Sequence, residues 1–247
     1  MGTSETLAAA LGGRLDAVAN ERTREWWKRY LKGAVPFRGV PMAATRSAVH
    51  ETWIEEGLDR FSSDEQIELA LRLFREPYAE DKVAGVLVLA ERLLPELEVA
   101  DIDRLARPFV AGWIDDWSTC DWYCVKVLGP LVERLADRQA AAEAIADWRS
   151  AEPLWQRRAA AVSFVSLASR GDDAYPGFVD LLLTVCATNV RDPARFSQTS
   201  VGWLLRELSH AEPERVERFV GEHKGHMSSE ARRAALARLR PRSATRS

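Results

Sequence analysis

Apolar residues recur at three- and four-residue spacing along nearly the whole chain, and almost no stretch alternates apolar with polar. This is the period of helices that bury one face, so the pattern predicts helices and no sheet. Thirteen are expected, over 4–18, 20–32, 43–57, 63–76, 78–94, 100–114, 118–135, 137–149, 153–170, 176–188, 192–210, 213–223 and 228–239. Their boundaries carry chemical marks. Ser62-Ser63-Asp64-Glu65 supplies caps and an acidic first turn. Pro77, Pro153, Pro193 and Pro213 fall near helix starts, where a missing N–H does no harm, and Gly171 and Gly225 fall at ends.

So many short helices with brief links predict stacked helical hairpins in preference to a four-helix bundle. An internal repeat is visible when Lys82-Val-Ala-Gly-Val, Asp121-Trp-Tyr-Cys-Val, Arg158-Ala-Ala-Ala-Val and Thr199-Ser-Val-Gly-Trp are aligned, with first residues 39, 37 and 41 apart. That spacing is near the period of HEAT-type helix pairs. The expected fold is therefore all-α, a superhelical array of HEAT-like antiparallel helix pairs, or α-solenoid. Residues 1–239 would form one domain and residues 240–247 a basic, flexible tail. Equivalent helices of such an array line one concave face, so residues 121, 158 and 199–206 are expected side by side.

Composition adds mainly exclusions. At 47% hydrophobic and 29% charged, the chain has ample material for a core. It has no run near the roughly 20 apolar residues of a membrane span and no visible secretion signal, so a cytoplasmic protein is expected. Cys120, Cys124 and Cys186 lack the spacing of a zinc site and read as reduced thiols, and the four histidines are scattered; no metal or cofactor is expected. Gly-rich phosphate loops, a GxSxG elbow and a Ser/His/Asp arrangement are absent from the sequence, which leaves kinase, dehydrogenase and hydrolase readings of those types without residues. The net charge of −3 argues against a polyanion partner, but the charge is uneven. Residues 151–247 hold 15 Lys and Arg against 11 Asp and Glu, whereas residues 1–150 hold 19 against 26. The basic half is the one suited to face a polyanion.

Three clusters can carry chemistry. In Trp113-Ile-Asp-Asp-Trp117-Ser-Thr-Cys-Asp121, Trp117 and Asp121 are four apart and share a helix face, which pairs an indole with a carboxylate. The competing reading makes Trp117 core and Asp121 a cap or dipole partner. In Leu154-Trp155-Gln156-Arg157-Arg158, adjacent arginines lead an otherwise apolar helix and suit phosphates, or a salt-bridged helix start. In Arg195-Phe-Ser-Gln-Thr-Ser-Val-Gly202-Trp203-Leu-Leu-Arg206, a mid-helix glycine requires a close approach, by a neighbouring helix or by a ligand. Trp26 and Trp27 read as packing and snorkelling residues.

Taken together, these clusters resemble the AlkD family of DNA alkylation-repair glycosylases. Tyr30-Leu-Lys-Gly-Ala-Val-Pro-Phe37-Arg-Gly39-Val looks like the family's Y-x-K…P-F-x-G-[IV] segment, WSTCD its W-x-x-x-D, LWQRRAA its W-x-x-R-A-A, and VGWLLRE its [IV]-G-W-x-L-R-E. The resemblance runs from about residue 25 to about residue 222. It implies a HEAT-like fold whose concave face binds duplex DNA, and hydrolysis of the N-glycosidic bond of cationic N3- or N7-alkylated purines without a base-flipping pocket. Carried over by motif, Trp117, Asp121 and Trp203 form the catalytic cleft, and Arg158 and Arg206 contact the DNA backbone; Arg157, adjacent to Arg158, is expected to bind DNA with them. A monomer is expected, either in housekeeping repair or in self-resistance to bulky alkyl adducts. Trp122, Tyr123, Lys126 and Thr199 depart from the family pattern. The alternative is a non-catalytic helical scaffold that binds nucleic acid or protein.

Overall fold

A helix begins where some side chain satisfies the free N–H groups of its first turn. A computed structural model describes residues 3–239, and several of its helices begin at such caps. The first compact unit, Met1–Val127, holds α1 (Thr3–Val18), α2 (Glu21–Tyr30), α3 (Met42–Glu55), α4 (Ser63–Leu73), α5 (Ala79–Val88), α6 (Ile102–Val110) and α7 (Trp117–Tyr123). Asn20 caps α2, and Ser62 with Glu65 forms the reciprocal capping box of α4. The second unit, Leu128–Ser247, holds α8 (Gly129–Arg134), α9 (Arg138–Ala146), α10 (Leu154–Val162), α11 (Phe178–Asn189), α12 (Arg195–Leu208), α13 (Pro213–Glu222) and α14 (Ser229–Ala235). Asp137 and Ser228 cap α9 and α14. Among the described residues every regular element is helical, as the periodicity requires. The tail expected over 240–247 lies outside the described residues.

Within each unit helices two or three apart in sequence pack together. In the first, α3 packs on α5 and α5 on α7, while α1 packs on α4 and α4 on α6. In the second, α10 packs on α12 and α12 on α14, with α9 against α11. Two layers of helices result in each unit, the arrangement of stacked hairpins. The aligned repeat residues occupy matching places. Lys82 is the fourth residue of α5, and Asp121, Arg158 and Thr199 are each the fifth of α7, α10 and α12.

The helices expected over 78–94 and 118–135 are each interrupted. α5 runs into a π turn at Leu89–Leu93 and α7 into one at Cys124–Leu128. Both turns stand just before a proline, Pro95 and Pro130. Proline has no N–H for the carbonyl four residues back and crowds it, and a widened turn relieves that conflict.

The core of the first unit is centred on Trp53, Phe74, Phe109 and Tyr123, that of the second on Phe164 and Phe178. The Tyr123 hydroxyl donates to the Leu105 carbonyl at 3.0 Å and its ring lies between Phe74 and Phe109. Burial raises its pKa well above the ordinary tyrosine value. Cys120, Cys124 and Cys186 are buried free thiols, and burial likewise pushes the Cys186 thiol well up.

Gly202 sits where α12 crosses α14. A Cβ there would lie 2.7 Å from the Ala231 carbonyl oxygen and 2.9 Å from its Cα. The close approach is thus made by a neighbouring helix. Gly202→Ala is expected to destabilise the protein by about 2 kcal/mol, because overpacking against backbone outweighs the roughly 1 kcal/mol gain in helix propensity. Urea denaturation checks this, and a stabilised variant would mean that α14 retreats freely.

Candidate functional site

In the first unit the site begins with the cap of α7. Asp116, 1% exposed, accepts the Ser118 and Thr119 amides on Oδ1 at 2.8 and 2.9 Å. The capping role weighed for Asp121 therefore belongs to Asp116, and Asp121 lies a full turn inside the helix. Trp117 and Asp121 share one face of α7, and both are partly buried. Trp117, like Phe37, packs against the cluster of Leu31, Val35 and Ala79, with its ring 6.0 Å from that of Tyr30. The turn before α7 is tied down by Lys82, a buried cation that donates to the Trp113 carbonyl at 2.6 Å and to Asp115 at 3.2 Å.

The segment after α2 is clasped by acidic side chains of α5. Glu80 accepts the amides of Arg38, Gly39 and Val40 at 3.0, 2.8 and 3.0 Å. Arg38 bridges Asp81 and Asp16, at 2.8 and 2.6 Å. Burial works against the Arg38 charge, but its two carboxylate partners outweigh it and raise its pKa. Burial also lifts the Asp81 carboxyl, against the pull of Arg38. α2 closes the clasp: the Asn20 amide donates to the Gly39 carbonyl at 2.9 Å, and Arg24 donates twice to the Arg38 carbonyl. The aromatic and basic residues of α2 are thereby anchored beside α5.

In the second unit the predicted basic residues divide by environment. Arg157 is committed to the fold: Nη2 and Nε bond Asp192 at 2.8 and 3.1 Å, and Nη1 bonds the carbonyls of Ala151 and Glu152. Arg158 is 5% exposed and donates to the Phe196 carbonyl at 2.8 Å and the Thr199 hydroxyl at 3.1 Å. Thr199, noted as a departure, thus has a structural use. Phe196 carries Trp155 on its ring at 4.9 Å, with the Arg158 guanidinium 5.8 Å from its centroid. Trp203 is partly buried, and Arg206 one turn on bonds Glu207, which also accepts from Arg238. Of the other departures, Tyr123 is core, while Lys126 is exposed with its ammonium 5.8 Å from the Trp122 ring.

Asp192 organises the start of α12, accepting from Arg157, from Ser197 at 2.6 Å and from the Ala194 amide at 2.9 Å. Burial raises its pKa, but these hydrogen bonds prevail and lower it below the ordinary value. The stabilisation it gives is therefore complete above the unfolded pKa of about 4 and is lost as pH falls through the folded value. Asp192→Asn is expected to cost about 2 kcal/mol at pH 7, with the gap to wild type closing below about pH 4. Denaturation midpoints across that range check it; a gap independent of pH would remove the charge from the account.

Clustering of Trp26, Trp27, Tyr30, Phe37 and Trp117 across α2 and α7 was not legible as a unit, because the rings come from three separate stretches. The exposed Tyr30, noted only within a motif, was the available signal. Among the described residues no group of three His, Cys, Asp or Glu side chains is placed to hold a metal, and no helix is long and apolar enough to cross a membrane.

A family model described as DNA alkylation repair enzyme matches residues 12–239. No curated protein matches the chain. A solved structure described as a predicted DNA alkylation repair enzyme from Enterococcus faecalis matches with a TM-score of 0.73 and 19% identity, over 90% of this chain and 97% of that one. At that identity the likeness speaks for the fold.

Proposed function

The chain belongs to the family of DNA alkylation repair enzymes, and on that premise we propose that it is a monofunctional DNA glycosylase. Its substrates are cationic N3- or N7-alkylated purines in duplex DNA. The observation that carries this reading is the pairing of Trp117 with Asp121 on one face of α7, with the capping duty met by Asp116. A carboxylate one turn inside a helix, beside an indole, suits a reaction that builds positive charge.

Alkylation makes the purine a cationic leaving group. The C1′–N bond breaks with both electrons going to the base, which departs neutral, and positive charge moves onto the deoxyribose. A water oxygen bonds to C1′ and releases a proton. Asp121 stabilises the oxocarbenium-like sugar and orients that water, the service carboxylates perform in glycoside hydrolysis. The Trp117 face attracts the same positive charge. Trp203 is assigned a second indole surface for the substrate. Arg206, the most exposed of the three arginines, is assigned to phosphate, and Arg158 to a close contact with the DNA backbone. Arg157 serves by holding α10 to Asp192. We further assign the protein to the cytoplasm and nucleoid as a monomer, without a base-flipping pocket, in repair or in self-resistance.

The test is release of free 3-methyladenine and 7-methylguanine from methylated duplex DNA, with a bulky N7 adduct as a third substrate. Release of any one supports the reading. Folded protein that binds the duplex and releases none would leave a non-catalytic DNA-binding scaffold.

A further inference from the structure

Helix α2 presents an outward face that the chemistry above does not use. Arg22, Trp26, Arg29 and Tyr30 follow one another at helical spacing along one side, all exposed, and no residue of Glu21–Tyr30 is buried. Trp26 is 51% exposed and Tyr30 56%. Their rings stack at 5.3 Å with only 8° between planes. Tyr30 in turn lies 6.0 Å from Trp117, so three rings lead from the open face to the catalytic pair.

Burial does not account for Trp26, which meets Trp27 edge-on at 4.7 Å yet stays half exposed. Its neighbour Trp27 does the packing, lying flat on Phe37 at 5.4 Å. Ion pairing within the chain does not account for two of the arginines either. Arg24 and Lys28 pair with Glu21 and Glu25, whereas Arg22 and Arg29 have no carboxylate within ion-pair distance among the described residues. From Glu21 to Lys32 there are five basic and two acidic residues, in the half of the chain where acidic residues prevail. The local charge is thus set against its surroundings, and it flanks two flat, exposed rings.

We propose that Trp26 and Tyr30 form an open stacking platform for a nucleobase that has left the duplex stack, with Arg22 and Arg29 gripping the phosphates beside it. The inference rests on the DNA reading above and adds to it a grip on unpaired nucleotides. Every base has a π-face, so such a platform is indifferent to sequence. Arginine forks suit phosphate oxygens.

The experiment measures affinity of the full chain, by fluorescence anisotropy, for three unmodified oligonucleotides: a fully paired duplex, the same duplex with a one-nucleotide bulge, and a single strand. Wild type is expected to prefer the bulged over the paired duplex by roughly five- to a hundredfold, the range of one base stacked on an aromatic side chain. Trp26→Ala abolishes that preference while paired-duplex affinity stays within about twofold, and Trp26→Phe keeps most of it. Changing Arg22 and Arg29 together to Gln flattens the salt dependence of single-strand binding by about 1.4 in log–log slope.

Equal affinity of wild type for bulged and paired duplex overturns the proposal. So does a preference that survives Trp26→Ala, or equal loss of all three affinities in that variant, which marks a general surface or a protein-binding one. Because the DNA is unmodified, the result does not depend on base excision. Absence of base release with the bulge preference intact would sink the glycosylase reading alone.

Discussion

Asp121→Asn is expected to lower single-turnover release of a methylated purine by about a hundredfold or more while leaving duplex affinity within a few-fold. The amide keeps the size and the hydrogen-bonding reach of the carboxylate, so α7 and its cap at Asp116 are undisturbed. What it lacks is the negative charge that the proposed mechanism sets opposite the developing oxocarbenium. Removal of one preorganised electrostatic partner of a transition state costs on the order of 10²–10³ in rate. Single-turnover conditions isolate the chemical step from product release. Unchanged release would take Asp121 out of its assigned role, and a parallel loss of binding would recast it as part of the DNA contact surface.

Gly39→Ala is expected to be the most damaging single methyl in the first unit. Gly39 has φ +96°, in the left-handed region, and a Cβ would stand 2.4 Å from the Asn20 carbonyl oxygen and 3.0 Å from the Arg24 amide nitrogen. Backbone strain of about 1–2 kcal/mol and a clash of about 1–3 kcal/mol combine to roughly 3 kcal/mol. For a chain of this size that is a fall in Tm of about 6–12 °C. The obstruction lies where α2 joins the Glu80 and Arg38 clasp, so Trp26 and Tyr30 lose their seat as well. Thermal unfolding monitored by circular dichroism checks the first effect, and tryptophan fluorescence below the transition checks the second. A variant as stable as wild type would show that the clasp yields.

The fold was largely legible because helices announce themselves by period and by caps. Ser62 with Glu65 is a local signal, and the structure uses it as read. The repeat was legible too, since Asp121, Arg158 and Thr199 occupy the same turn of their helices. The π turns were missed although Pro95 and Pro130 stood in plain view, because a widened turn depends on packing as well as on proline. The division of labour among the arginines was illegible. Arg157 and Arg158 are adjacent and alike in sequence, yet one meets Asp192, 35 residues on, and the other meets Phe196 and Thr199, 38 and 41 residues on. Only tertiary structure decides such partners. The same holds for Gly202, whose neighbour was unnamed until α14 was seen against it. Trp26 and Trp27 read alike in sequence, as packing and snorkelling residues, and only the structure gives the flat contact on Phe37 to Trp27 and leaves Trp26 half exposed.

The three cysteines bear on how such a protein endures the conditions that call for it. Methylating reagents are electrophiles, and a thiolate is among the strongest nucleophiles a protein offers them. This chain keeps Cys120, Cys124 and Cys186 out of solvent, and burial holds Cys186 in its thiol form. The residues most easily modified in an alkylated cell are thus the ones the fold shields, including the two that stand on either side of Asp121.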